Sequence, residues 1–306
     1  MHHPNAGTPS APTNAHAHAH AHAHGHAPAI EARGVTVVRG GIAILGGVDF
    51  ALERGGCVAL LGPNGCGKTT FARCLVGAIH PTVGELYVLG EAIGGTDVHA
   101  LRRRVALVNP TTDAGHRHSA GAVCDASLST LDAVCTGFFA TVGLYDRPTA
   151  EQRERAAAVL DHVGLADRKE LTFGLLSTGQ QRRAMIARAL VRLPELLILD
   201  EPTAGLDLAG REQVLATVDL ILRHPEPPAV LMITHHVEEV PRQASRVMLM
   251  RGGRIEEAGE PRAVLTPEKL TRIFGCKVYV RRVHGRYWTE VLPEAWLELT
   301  PGRGRG

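Results

Sequence analysis

The chain has 306 residues, 44% of them hydrophobic and 21% charged, so it can bury one large α/β core or two lobes and is too apolar for wholesale disorder. Lys and Arg total 33 against 31 Asp and Glu, and a net charge of +2 gives no reason to expect nucleic acid or an anionic membrane as the default partner. No apolar run reaches the ~18 residues a membrane-spanning helix needs, and the 6 cysteines, with no CxxC pair among them, read as buried small residues in a reducing compartment.

Residues 1–28 are mostly Ala, Pro, Asn, Thr and His, with His16, His18, His20, His22, His24 and His26 alternating at period two. They cannot build a core and read as a disordered tail without the apolar stretch of a secretory leader. In an extended chain these imidazoles share one side, about 6–7 Å apart. Neutral imidazoles so placed can bind Zn²⁺, Ni²⁺, Cu²⁺ or Co²⁺ and release them as pH falls toward ~6.5. Low-complexity drift accounts for the same residues without a metal.

The globular part begins near Ile30, and the stretch to Leu52 predicts short strands with turns at Gly40-Gly41 and Gly46-Gly47. Cys57–Leu61 is an apolar run between turn signals, as a buried strand requires, and a helix is expected from Thr69 to Val76. Tyr87–Leu89 and Val105–Val108 read as strands, and 111–125 as an irregular connection. From about 128 to 192 the pattern turns helical. Thr149-Ala150-Glu151-Gln152 is a capping box, Ala156, Leu160 and Val163 recur at helical spacing, and Gly164 supplies a left-handed stop. A second helix is expected from Gly179 to Arg192, with Met185, Ile186, Ala189 and Leu190 on one face and Pro194 past its end. Leu196–Leu199 and Val230–Ile233 read as buried strands on either side of a helix over 209–222. Val247–Met250, Gly252-Gly253 and Arg254-Ile255 suggest a hairpin. Thr266-Pro267 opens a short helix that Gly275 closes, and Lys277–Val283, His284-Gly285 and Arg286–Val291 predict a second hairpin.

Gly62-Pro63-Asn64-Gly65-Cys66-Gly67-Lys68-Thr69 fits GxxxxGK[ST], with a strand before it and a helix after it. Its glycines let successive amides point at phosphate oxygens, and the helix start adds partial positive charge. Lys68 reaches the β and γ phosphates, and the Thr69 hydroxyl can ligate Mg²⁺. Thr70 follows and completes the candidate phosphate-binding run. Downstream, Asp200-Glu201 places two carboxylates at the tip of the Leu196–Leu199 strand, which opens onto the nucleotide crevice. Asp200 suits Mg²⁺, directly or through water, and Glu201 suits polarising an attacking water.

Leu176-Ser177-Thr178-Gly179-Gln180-Gln181 then resembles the signature motif of ABC-type ATPases, usually LSGGQ, with Thr178 in place of the first glycine. Ala204-Gly205-Leu206-Asp207 resembles the D-loop and Thr234-His235 the switch-histidine segment of that family, and the motifs run in the family's order over roughly Ile30–Pro261. The resemblance implies an α/β fold: a P-loop NTPase core with an antiparallel β subdomain and an inserted α-helical subdomain. It implies ATP and Mg²⁺ as cofactors and a head-to-tail dimer of two copies with ATP sandwiched between them. Ser177, Gly179 and Gln180 would then meet the γ-phosphate held by the partner's Lys68. Glu201 would orient water, His235 would hold the γ-phosphate and that water in line, and Asp207 would communicate across the dimer. The expected organisation is a tail over 1–28, an ATPase domain over 29–265 with its helical part at about 112–194, and a helix-plus-hairpin extension over 266–306.

Two further positions depart from the family pattern. The aromatic residue that stacks on adenine is replaced near Arg39, whose guanidinium can also stack on a base. The Q-loop glutamine is absent, since the Val105–Val108 strand is followed by Asn109, one methylene shorter. The apolar and aromatic segment Ser129–Tyr145 reads equally as packing inside the helical lobe or as a groove for a permease helix. The resemblance favours the ATPase subunit of an importer, bound to permease subunits on the cytoplasmic face of the cell membrane, with no nucleic acid as partner; the histidine tail, and not the ATPase motifs, points to a transition-metal ion or complex as cargo. The competing reading is a soluble ABC-type ATPase acting on a macromolecule, which the missing glutamine favours and the lack of a basic stripe disfavours.

Overall fold

The computed structural model describes residues 27–95, 97–109 and 124–291. The histidine block and most of the connection expected over 111–125 lie outside them. The chain opens with β1 (Ile30–Arg39) and β2 (Ile42–Leu52), joined by Gly40 and Gly41, both at positive φ as a tight hairpin turn requires. The turn expected at Gly46-Gly47 does not form: β2 runs through it, and the pairing slips from Val35↔Val48 to Val37↔Leu45 as a bulge. The glycines serve the bulge instead: Gly47 sits at φ +75 and its N–H donates to Thr36 Oγ1 at 3.0 Å, and Gly46 N–H donates to Gly253 O at 2.9 Å.

β3 (Cys57–Leu61) leads through the phosphate loop into α1 (Lys68–Leu75), and β4 (Val83–Val88) and β5 (Glu91–Ala92) follow. β2, β1, β4 and β5 form an antiparallel sheet in that order. Next come α2 (Val98–Arg104), capped by Asp97 and not foreseen from a sequence with the single buried position Leu101, and β6 (Val105–Val108).

Three helices make the lobe that follows: α3 (Thr130–Phe139), α4 (Ala150–His162) and α5 (Thr178–Leu190). The expected capping box is present, with Gln152 N–H donating to Thr149 Oγ1 at 3.2 Å and Thr149 N–H to Gln152 Oε1 at 2.9 Å. α5 is two-sided. Ala184 and Ala187 pack with Val134, Leu160 and Val191 inside the lobe, while Ile186, with Met185, Ala189 and Leu190 beside it, packs against the central sheet. The lobe is thus joined to the core along a helix rather than by a loop.

The chain returns through β7 (Leu196–Asp200), α6 (Leu208–Leu222), β8 (Ala229–Thr234), β9 (Arg246–Arg251) and β10 (Arg254–Gly259). The central sheet has the order β10-β9-β3-β8-β7-β6, parallel except for edge strand β10. β3, β7 and β8 are buried along their whole length, as strands covered on both faces must be. Each fully buried Leu, Ile or Val contributes about 1.5–3 kcal/mol, so these three apolar strands anchor the sheet. α7 (Pro261–Val264), α8 (Pro267–Phe274) and a hairpin of β11 (Val278–Val283) and β12 (Arg286–Val291) complete the described chain. His284 and Gly285, both at positive φ, make the hairpin turn, and Val278 and Tyr287 join the core under α6. The fold is a P-loop NTPase α/β core with an antiparallel β subdomain and a group of helices between β6 and β7.

Candidate active site

The phosphate loop leaves β3 in the middle of the central sheet and ends on α1. Two of its glycines have no substitute. A Cβ on Gly62 would lie 2.2 Å from Met250 O, and one on Gly67, at φ +108, would lie 2.8 Å from Leu45 Cδ2 and 2.9 Å from Ile44 O. The loop is braced from outside: Gly253 N–H, in the β9–β10 turn, donates to Cys66 O at 2.9 Å, and Gly253 O accepts from Gly46. The close approach of the two backbones falls on Gly253, where an added Cβ would lie 2.4 Å from Ile44 O. Gly67 gives the α1 N-terminus no side-chain cap, so the helix start can offer its amides to an anion.

The Lys68 side chain is only 4% exposed, and its ammonium donates to Gly62 O at 2.8 Å and Pro63 O at 3.0 Å. Glu201 Oε1 lies 3.8 Å from the same nitrogen and 3.2 Å from His235 Nδ1. One carboxylate oxygen therefore faces the lysine of the phosphate loop and the histidine beyond β8. Glu201 stands just past β7 at φ +50, a left-handed conformation costly for a residue with a Cβ. Its N–H donates to Ile233 O at 2.8 Å, which fixes the turn that presents the side chain.

Asp200, the last residue of β7, is 1% exposed. Its Oδ2 accepts from Asn109 Nδ2 at 2.8 Å, and its Oδ1 is buried with no hydrogen-bond partner among the described residues. Burial pushes its pKa up to about 6, against the opposing pull of the Thr69 hydroxyl. A buried carboxylate with an unused oxygen beside a hydroxyl is a hard-oxygen donor set, and it fits Mg²⁺. Asn109, standing where the family glutamine was missed, therefore bonds directly to that carboxylate.

Around His235 the chain is tied down. Glu239 is 2% exposed, and its carboxylate accepts from the hydroxyls of Thr203 and Thr234, which flank Glu201 and His235 in sequence. His236, to which the sequence assigned no role, lies with its ring centroid 4.0 Å from that of His235.

Ser177 caps α5 in a second capping box, with Gln180 N–H donating to Ser177 Oγ at 3.3 Å and Ser177 N–H to Gln180 Oε1 at 2.9 Å. The S-x-x-Q spacing could have revealed it. Gln180, expected to touch nucleotide, has its amide oxygen engaged in this cap. Gly179 lies against Gly210 of α6, where an added Cβ would stand 3.2 Å from the Gly210 Cα. Asp207 Oδ1 accepts from Gly210 N–H at 2.7 Å and caps α6, so the start of α5 and the D-loop-like segment are held together. Asn64, Gly65 and Thr70 lie in the loop and first turn of α1, whereas Arg39 is exposed at the end of β1.

Beside Asn109 the surface forms a groove of about 600 Å³, lined by Phe138, Phe139 and Tyr145 and by Arg102, Arg188 and Arg192. Tyr145 is 82% exposed. Arg188 donates to Thr136 Oγ1 at 2.7 Å and Thr141 O at 2.8 Å, and burial lowers its pKa.

Comparison with known proteins places these features in a group. Residues 45–204 match the family model described as ABC transporter. The chain is 35% identical over 247 residues to the ABC transporter ATP-binding protein YlmA of Bacillus subtilis, covering 80% of this chain and 90% of that protein. It is 36% identical over 242 residues to the cobalt import ATP-binding protein CbiO of Rhodobacter capsulatus, covering 78% of this chain and 81% of that one. Among solved structures it is similar to cbiO1 from Clostridium perfringens, described as part of the ABC transporter complex cbiONQ, at TM-score 0.66 and 26% identity over 80% of this chain and 93% of that one. It is also similar to the dimeric bacterial ABC transporter cassette MJ0796, at TM-score 0.63 and 25% identity over 76% and 99%.

Proposed function

The chain belongs to the ABC transporter family, and on that premise we propose that it is the ATP-hydrolysing subunit of a transition-metal importer, acting as a head-to-tail dimer beneath membrane permease chains. Its activity class is ATP hydrolysis, and it is an ATP-binding subunit of an ABC transporter. The observation that carries the mechanism is that Lys68, Asp200, Glu201 and His235 converge on one phosphate loop.

In this reading the amides of Gly62–Thr70 hold the phosphates, with Pro63, Asn64, Gly65, Cys66 and Gly67 shaping the loop. Lys68 exchanges its two carbonyl partners for phosphate oxygens. Asp200 and Thr69 hold Mg²⁺, which when bound neutralises charge on the β and γ phosphates. Glu201 Oε1 accepts a proton from the attacking water, and His235 keeps Glu201 in place from the other side. Arg39 packs on the base. The partner's Ser177, Gly179 and Gln180 close the site over the γ-phosphate, with the positive end of α5 aimed at it, and Asp207 carries the closure between copies.

The groove beside Asn109 is the permease contact. Its aromatic and arginine lining suits an apolar helix carrying acidic residues, and its floor strand β6 ends at the residue that bonds Asp200. Among the described residues no helix is long and apolar enough to cross a membrane; in this reading permease chains supply the span and this chain sits on the cytoplasmic face. The tagged chain, recovered from detergent-solubilised membranes of its source cells, should bring integral membrane chains with it. Phe139→Ala should reduce that recovery while leaving the isolated chain's ATPase rate unchanged. Recovery with ribosomes and without membrane chains would contradict this assignment and favour a macromolecular target.

The metal cargo is inferred from the alternating histidines His16–His26 and from the similarity to the cobalt import ATP-binding protein of Rhodobacter capsulatus. In this reading the tail, with its alternating imidazoles, is the candidate carrier. Deleting residues 1–26 should abolish Zn²⁺ or Co²⁺ binding measured by equilibrium dialysis and leave ATP hydrolysis intact. Unchanged metal binding in the truncated chain would remove the tail from the account.

A further inference from the structure

The β11–β12 hairpin lies far along the chain from every motif of the active site, yet β12 packs directly on the short 3-10 turn Val237–Glu239 that follows His235. The contact is polar and specific. Thr289 N–H donates to Glu238 Oε1 at 3.0 Å, and the Thr289 hydroxyl donates to the same oxygen at 2.5 Å. Arg286 Nη2 donates to the Glu238 backbone carbonyl at 3.1 Å and to Glu212 Oε1 at 3.1 Å, while its Nη1 donates to Glu212 Oε2 at 2.5 Å. The Arg286 side chain is 16% exposed, and this forked pairing holds the Glu212 carboxyl below the usual carboxylate range.

The two acidic neighbours thus point opposite ways. Glu239 is anchored inward on Thr203 and Thr234, and Glu238 is anchored outward on the hairpin. Glu212 lies on α6, the helix that Asp207 caps. Arg286 therefore joins the turn after the switch histidine to the helix after the D-loop-like segment, across 48 and 74 residues of sequence. Without the hairpin, these hydrogen bonds on the outer side of the turn behind His235 would be lost.

We propose that Arg286, Thr289 and Glu238 are positioning residues for hydrolysis: the C-terminal hairpin clamps the turn behind His235 and so holds the imidazole against Glu201. The proposal rests on the assignment of Glu201 and His235 to hydrolysis made above. A small displacement of a catalytic side chain lowers turnover without weakening nucleotide binding, because the phosphates are held by the loop on the other side of the site.

The test uses the full-length chain and its steady-state ATPase kinetics, with Glu201→Gln as reference. Arg286→Met and Glu238→Ala are expected to lower kcat about tenfold. KM for ATP and the stoichiometry of bound ATP should stay within about twofold of the parent. Glu238→Gln, which keeps the accepting oxygen for Thr289, should recover most of the lost rate, a rescue that a merely destabilised fold would not show. Parental kcat in Arg286→Met and Glu238→Ala, with Glu201→Gln inactive, would overturn the clamp and leave the functional assignment standing. A kcat that falls only in step with the fraction of chain able to bind ATP, with Glu238→Gln as impaired as Glu238→Ala, would also overturn it. Parental turnover in Glu201→Gln would overturn the assignment beneath it, and the clamp too.

Discussion

Glu201→Gln should retain ATP binding and lose turnover by about 10²–10⁴-fold, the span expected when a positioned general base is removed. The substitution is isosteric, so it keeps the shape of the site. An amide oxygen at Oε1 can still accept from His235 Nδ1, 3.2 Å away in the parent chain. It cannot take a proton from water. It also removes the negative charge that stands 3.8 Å from the Lys68 ammonium, so ATP should bind at least as tightly as before. Glutamine meets the same left-handed backbone at φ +50 as glutamate, so the fold should carry the change without added strain. Single-turnover hydrolysis with equilibrium binding of ATP separates the two effects. Turnover at the parental rate would remove Glu201 from the chemistry.

Ser177→Arg should be as damaging for a different reason. Ser177 closes the first turn of α5 through its capping box, and losing a serine cap costs about 1 kcal/mol of helix stability. That is modest for a helix with buried faces on both the lobe and the sheet. The larger effect is on assembly. A long cation at the end of α5 repels the helix's own positive pole and fills the space where the partner's γ-phosphate would enter. One chain should still bind ATP through its own phosphate loop, whereas the paired form should not assemble and hydrolysis should fall to background. Ser177→Asn keeps the cap, so its comparison with Ser177→Arg separates helix fraying from blocked assembly.

Much of this site could be read from the sequence because its chemistry depends on fixed local spacing. The phosphate loop, the carboxylates at the end of a buried strand and the His284-Gly285 turn all follow from residues a few positions apart. What escaped reading depends on contacts between distant segments. Gly46-Gly47 has turn composition, yet it forms a bulge inside β2, with Gly47 at φ +75 and the Gly46 N–H bonded to Gly253 O, which no local rule reveals. Asn109 looked like a loss, because only the folded strand ends bring it 2.8 Å from Asp200. The left-handed backbone of Glu201 and the clamp from Arg286 to Glu212 and Glu238 likewise exist only once β7, β8, α6 and the hairpin are packed. The second capping box is the exception, since Ser177 and Gln180 carry the same local signal as Thr149 and Gln152.

The reading of the site as one shared between two chains meets its most direct test in sedimentation velocity of the full-length Glu201→Gln chain with saturating ATP and Mg²⁺. The expected result is a species of twice the single-chain mass that disappears when ATP is withheld or when Ser177→Arg is added. Single chains only, under saturating nucleotide that is shown to be bound, would contradict the shared site and return the signature segment to a role within its own chain.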